Sequence, residues 1–164
     1  MPLPTYVPGQ VLNADDVSLW LLHRFAYKTS DTTRTSTTTL TNDPHLVVPV
    51  DASAVYQFNC LLDYTSGATE DINVTFTAPS GATLDWNGAG YTGTDVQMWN
   101  GGNAAAVAVV FGGGNAARRF IDIKGMIQTS VTSGNLTLQW AQAVSGASSA
   151  VLRTYSYLKV LRVG

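Results

Sequence analysis

From residue 29 onward, apolar and polar positions alternate with a period of two in one segment after another. Tyr56, Phe58, Cys60, Leu62 and Tyr64 share one phase, and Gln57, Asn59 and Asp63 hold the other. That alternation marks a half-buried strand. Ile72, Val74 and Phe76 stand against Asn73, Thr75 and Thr77. Ile121, Ile123 and Ile127 stand against Asp122, Lys124 and Gln128, and Leu136, Leu138 and Trp140 share a face. Residues 151–163 read as a last long strand, with Tyr155, Tyr157 and Leu161 on one side and Leu152, Leu158 and Val160 on the other. Residues 104–111 form a continuous apolar run of strand length, which predicts a buried strand. Residues 32–41 are nearly all Thr and Ser, and the β-branched threonines favour an edge strand. Asn42-Asp43-Pro44 and Asp51-Ala52-Ser53 read as turns around a short strand at 45–50. Residues 87–103 carry Asn-Gly at 87–88 and 100–101 and read as the longest irregular segment. About eight to ten evenly spaced strands signal a sandwich or barrel. Their lengths suit two packed sheets, so the expected fold is an all-β, jelly-roll-like β-sandwich.

Residues 1–28 break the pattern. Pro2, Pro4 and Pro8 remove backbone donors and favour an extended arm. Gly9 turns it, Asn13 is placed as an N-cap, and Asp15 and Asp16 complement the dipole of a helix over residues 14–23. Val17, Trp20, Leu21 and Arg24 share one helical face, with Leu19 and Leu22 on others. So short a helix is marginal by itself and must dock on something. The chain therefore divides into an arm with a short N-terminal helix, 1–28, and a β-sandwich domain, 29–164. Tyr6, Val7, Leu12, Val17, Trp20 and Leu21 are the expected attachment interface.

Composition narrows the function. The 164 residues are 45% hydrophobic, which fits a globular core, but only 12% are charged, about half the usual share. The net charge is -2, and the clustered Lys and Arg that phosphate binding requires are missing. Nucleic acid is thus not an expected partner. No run approaches the roughly 18 apolar residues of a membrane span, and the start carries no secretory signal pattern. The expectation is a protein made in a cytoplasm, with no membrane partner. Cys60, the one cysteine, falls in the apolar phase of its strand and reads as a small buried hydrophobe.

The chemistry-bearing residues do not assemble into a motif. His23 and His45 are the two histidines and give no triad order. With one thiol, a zinc site lacks ligands. Glu70-Asp71 reads as a solvated turn. It would form half of a glycosidase carboxylate pair only if the fold brought Asp63 or Asp85 near. No EF-hand loop is present, and Gly112–Gly114 lacks the Lys and Ser/Thr of a phosphate loop. No catalytic residue, metal or cofactor is therefore expected. Tyr91 and Trp99, beside Asp95, Gln97 and Asn100, combine rings and amides. Such a set contacts either a glycan or another subunit, because both Tyr and Trp are enriched at interfaces.

Three stretches resemble small virion proteins of tailed bacteriophages, especially those of actinobacteria. PLPTYVPGQVLNADDVSLWL is similar to the opening of minor tail and fibre-like proteins, with Gly9, Val11, Leu12, Ala14 and Asp16 in register with a G-x-V-L-x-A-x-D element. TSTTTLTNDPHLVVPVDASAVYQFNCLLDY resembles their Thr-rich strand, turn and following strand, and SYLKVLRV their last strand. Residues 65–149 carry little of the likeness. The resemblance implies a virion structural protein with a jelly-roll-like or tumour-necrosis-factor-like domain, often a homotrimer, on the tail or capsid exterior. Its implied partners are itself and other virion proteins, a tail or major capsid protein. A host-surface glycan is the further partner if the chain is instead a carbohydrate-binding module.

Overall fold

The computed structural model describes residues 8, 9, 11, 23–101 and 108–164. Twelve strands run through the described residues: β1 (His23–Tyr27), β2 (Thr32–Arg34), β3 (Thr41–Val50), β4 (Val55–Thr65), β5 (Ile72–Thr77), β6 (Thr83–Tyr91), β7 (Val96–Gly101), β8 (Val109–Phe111), β9 (Arg119–Gln128), β10 (Gly134–Ala141), β11 (Ala150–Leu152) and β12 (Tyr157–Arg162). They form two antiparallel sheets. The larger has the order β1-β12-β4-β9-β6-β7, with β11 joining β4 to β2; the smaller has the order β3-β10-β5-β8. The alternating apolar phases face each other between the sheets. Phe58, Cys60, Leu62, Ile121, Ile123, Leu158 and Val160 of the larger sheet pack against Leu46, Val48, Val74, Phe76, Leu136, Leu138 and Trp140 of the smaller.

The pairing explains the topology. β1 pairs with β12, β3 with β10, β4 with β9 and β5 with β8. First with last, second with second-last, and so inward, is what results when one long antiparallel hairpin is rolled into two sheets. The β6–β7 hairpin is inserted at the tip of that roll and extends the larger sheet beyond β9.

Several segments depart from the sequence expectation. The helix expected over 14–23 falls outside the described residues except at its end. There His23 and Arg24 belong to β1, paired with Leu161 and Val160. Residues 23–27, read as part of the arm and helix, are thus a strand of the larger sheet. Asn42-Asp43-Pro44 is not a turn but the start of β3, because Asp43 is drawn into the interior by Lys28. Residues 83–101 form a hairpin rather than an irregular segment. Gly88, read as a turn residue, is a strand position fitted to its packing: a Cβ on it would lie 2.8 Å from the Phe111 ring, and one on neighbouring Gly90 2.6 Å. Of the expected strand at 104–111 only β8 is strand, and residues 102–107 are outside the described set. The last strand is broken at 153–156, where Arg153 N donates to Asp63 O and Lys28 N to Ser156 O.

Candidate functional site

Most interior charges are tied to partners within the chain. Lys28 and Asp43 have fully buried side chains, 2.7 Å apart. Lys28 Nζ also donates to Thr32 Oγ1 at 2.8 Å and lies 3.4 Å from His45 Nδ1. Asp43 accepts Trp140 Nε1 at 3.2 Å, and its other oxygen accepts the backbone N–H groups of His45 and Leu46. Asp63, also buried, takes two bonds from Arg118 Nε at 2.8 and 2.9 Å. Asp51 is held by Arg24 at 2.6 Å, by the Tyr56 hydroxyl and by Arg162. The bonded Arg24 guanidinium, more than any other group, keeps the Asp51 carboxyl below the usual carboxylate range. These networks clamp strand ends and corners.

The residues weighed for chemistry stay apart. Glu70 is enclosed by loops, accepting Thr69 Oγ1 and Ser148 N. Its neighbour Asp71 accepts Gly113 N. Asp85 sits on the outer face of the larger sheet opposite Met126, and Asp63 sits opposite Phe120. Met126 and Phe120 are six residues apart on β9, so these carboxylates lie about 20 Å from one another. His23 is on edge strand β1 of the larger sheet and His45 on β3 of the smaller. No group of three His, Cys, Asp or Glu that could hold a metal occurs among the described residues. Cys60 is buried, and desolvation pushes its thiol well up from the ordinary value.

Tyr91 and Trp99 are also separated. Tyr91 pairs with Val96 and Trp99 with Gly88, three ladder positions apart. An odd separation sends side chains to opposite faces. Trp99 packs edge-on against Phe111 with centroids 5.0 Å apart, and the Arg119 guanidinium covers the Tyr91 ring at 4.2 Å. The six expected attachment residues, Tyr6, Val7, Leu12, Val17, Trp20 and Leu21, lie outside the described residues.

What the structure brings together is the outer face of the larger sheet. One ladder row reads Tyr27, Tyr157, Leu61, Asp122, Ala89, Met98 across six strands. The next reads Phe25, Lys159, Asn59, Lys124, Asn87. The third reads His23, Leu161, Gln57, Met126, Asp85. On the other side of the first row stand Phe120 and Val96. Phe25 is 57% exposed, Tyr27 58% and Met98 72%, and Phe120, Met126 and Val96 are exposed with them. Phe25 gathers Tyr27 and Tyr157 at centroid distances of 5.9 and 5.5 Å. Arg118 lies over both the Phe120 and Tyr155 rings. Sequence reasoning missed this face. Its signal was present in β9, where Phe120 and Met126 occupy the polar phase that Asp122, Lys124 and Gln128 define.

A β-sandwich with the strand pairing of a jelly roll is therefore the class this chain falls in. No protein-family model matches it, and no curated protein does. Among solved structures it is similar to the tripod (BppUct-A-L) from the baseplate of bacteriophage Tuc2009. Identity is 11% and TM-score 0.35, over 98% of this chain and 73% of that one. It is also similar to infectious bursal disease virus VP2 in a subviral particle, with 9% identity and TM-score 0.23 over 99% of this chain and 45% of that one. Likeness this slight carries no weight for fold or role; the strand order stands by itself. No described helix is long and apolar enough to cross a membrane.

Proposed function

We propose that this chain is a non-enzymatic structural subunit of a tailed-phage virion, on the exterior of the tail or capsid, built to assemble with itself and with other virion proteins. The observation that carries the reading is the contrast between interior and surface. Buried Asp43 and Asp63 are neutralised by Lys28 and Arg118 of the same chain, while the outer face of the larger sheet presents Phe25, Tyr27, Met98, Phe120 and Met126 to solvent. The Phe25, Tyr27 and Tyr157 rings form an exposed apolar cluster at the β1 edge of this face, and exposed apolar clusters of this kind mark interaction sites. The sequence resemblance supplies the virion as the setting, and its opening segment supplies attachment through residues 1–22. The segment ends there because residues 23–27 are bonded into the sheet.

The test is electron microscopy of particles carrying a labelled copy of the chain, together with a variant lacking residues 1–22. The label is expected on the particle exterior. The shortened chain is expected to keep its thermal unfolding transition and to be missing from particles. An unlabelled particle would overturn the virion role, and normal incorporation of the shortened chain would overturn the attachment role.

A further inference from the structure

We infer that the outer face of the larger sheet pairs with the same face of a second copy, about a two-fold axis that lies in the face, perpendicular to the strands and midway between the Asp122 and Lys124 rows. The inference deepens the proposed self-assembly by naming its surface and symmetry. Beyond the Arg118–Asp63 pair, the described charges of this face are Asp85 and Asp122 against Lys124 and Lys159 in the ladder rows, with Asp95 beside Val96 and Arg119 over the Tyr91 ring at its margin. A face with balanced charge repels neither itself nor a neutral partner, and it gives a polyanion no field to follow. The placement is more telling than the balance. Asp122 and Lys124 are adjacent positions of one phase on β9, and 3.1 Å separates their charged atoms within the chain.

A two-fold axis at that position leaves each strand over its own counterpart and reverses the row order. Lys124 of one copy then lies over Asp122 of the other, and Asp122 over Lys124. Phe120 falls on Met126, and Phe25 on Tyr27. Lys159 falls on the Tyr157 ring, a favourable place for an ammonium group. Each of these contacts is reciprocal, as an isologous interface requires. The strands of the two copies run nearly aligned, the usual geometry for sheets stacked about 10 Å apart. The accessible positions of the four rows, at about 4.8 Å by 6.8 Å each, give a footprint of roughly 600 Å² per copy, at the lower end of standard stable interfaces. A shift of the axis by half a row spacing destroys the match, because Lys124 would then face Lys124.

The experiment uses the full chain in multi-angle light scattering behind size exclusion, over a concentration series, with three sets of variants. The unaltered chain is expected to be a dimer. Lys124→Asp sets aspartate against Asp122 of the other copy and is expected to weaken dimerisation at least tenfold. Adding Asp122→Lys to it restores an opposite pair across the axis and is expected to recover dimerisation. The third variant carries Phe120→Cys and Met126→Cys. These positions lie about 20 Å apart in one copy and face each other between copies across the roughly 10 Å sheet spacing, too far for a direct disulfide, so a short bifunctional maleimide is expected to give a covalent dimer, whereas Phe120→Cys alone is expected to give none. Circular dichroism confirms that each variant is folded. A monomer or a trimer, a double charge variant no better than the single one, or equal crosslinking by Phe120→Cys alone would overturn the pairing. A monomer in solution would leave the particle-labelling test of the virion role unaffected, and an unlabelled particle would leave the pairing unaffected.

Discussion

Replacing Lys28 by methionine removes the cation from the most deeply buried charged pair while keeping the length and much of the volume of the side chain. Asp43 then remains in the interior with Trp140 Nε1 and the backbone N–H groups of His45 and Leu46, all neutral donors. Removing one member of a buried pair costs about 3–5 kcal/mol because the other charge is left uncompensated. The three surviving bonds place the expected loss at the lower end, about 3 kcal/mol. That is a large part of the roughly 5–15 kcal/mol that holds a domain together. With a urea slope near 2 kcal/mol per molar, the midpoint is expected to fall by about 1.5 M. Combining Lys28→Met with Asp43→Asn removes both charges and leaves an amide oxygen to accept the backbone donors. Asp43→Asn alone strands the buried Lys28 cation and is expected to cost about 3 kcal/mol as well, so a double variant within about 1.5 kcal/mol of the parent gives a coupling energy of about 4.5 kcal/mol in the cycle. Equilibrium urea unfolding followed by tryptophan fluorescence measures all four chains. A loss below about 1 kcal/mol for Lys28→Met, or a double variant as unstable as the sum of the singles, would show that the pair is not the constraint described here.

Three further outcomes are expected. Asp51 has a folded-state value lowered chiefly by its bond to Arg24, so its stabilising contribution is present above the unfolded carboxylate value of about 3.9 and is lost as pH falls through the lower folded value. Arg24→Met should reduce the loss of stability in that acid window, as read by melting temperature between pH 5 and pH 2, and an unchanged acid profile would contradict it. A Cβ at position 125 would come within 2.4 Å of the Phe58 ring and 2.5 Å of Asp85 O. Gly125→Ala is therefore expected to destabilise by about 1–3 kcal/mol through overpacking, and a neutral result in urea would show that the two strands can part there. The buried Cys60 thiol should resist Ellman's reagent in the folded protein and react fully in denaturant, and rapid labelling without denaturant would place it at the surface.

The all-β reading and the inward phase of β4, β5, β9 and β10 were legible because a period of two is a local property. Tyr56, Phe58, Cys60 and Leu62 are all buried as their alternation requires. Where the reading failed, a local signal was overruled by a distant contact. Asn87-Gly88 resembles a turn until Phe111, more than twenty residues later, is seen to need the space above Gly88. Asn42-Asp43-Pro44 resembles a turn until Lys28 supplies a buried partner for Asp43. Trp99 looked available for a ligand, but the neighbouring sheet gives it the edge of Phe111. The outer face escaped notice for a related reason. Phe25, Met98 and Phe120 are single exposed residues in their own segments and come onto one face only when β1, β7 and β9 lie in one sheet.

By itself, then, the sequence determined the strand class, the phase facing the core and the low surface charge. These follow from neighbouring residues, where backbone geometry leaves two sides and solvation chooses between them. Tertiary structure alone decided the strand order, and with it the pairing of Lys28 with Asp43, of Arg118 with Asp63, and the ladder rows that carry Phe25, Phe120 and Met98 onto one face. Those contacts join segments up to 55 residues apart or bring separate strands into register. They depend on which long loops close, a cost that rises only slowly with length and leaves no periodic mark on the chain.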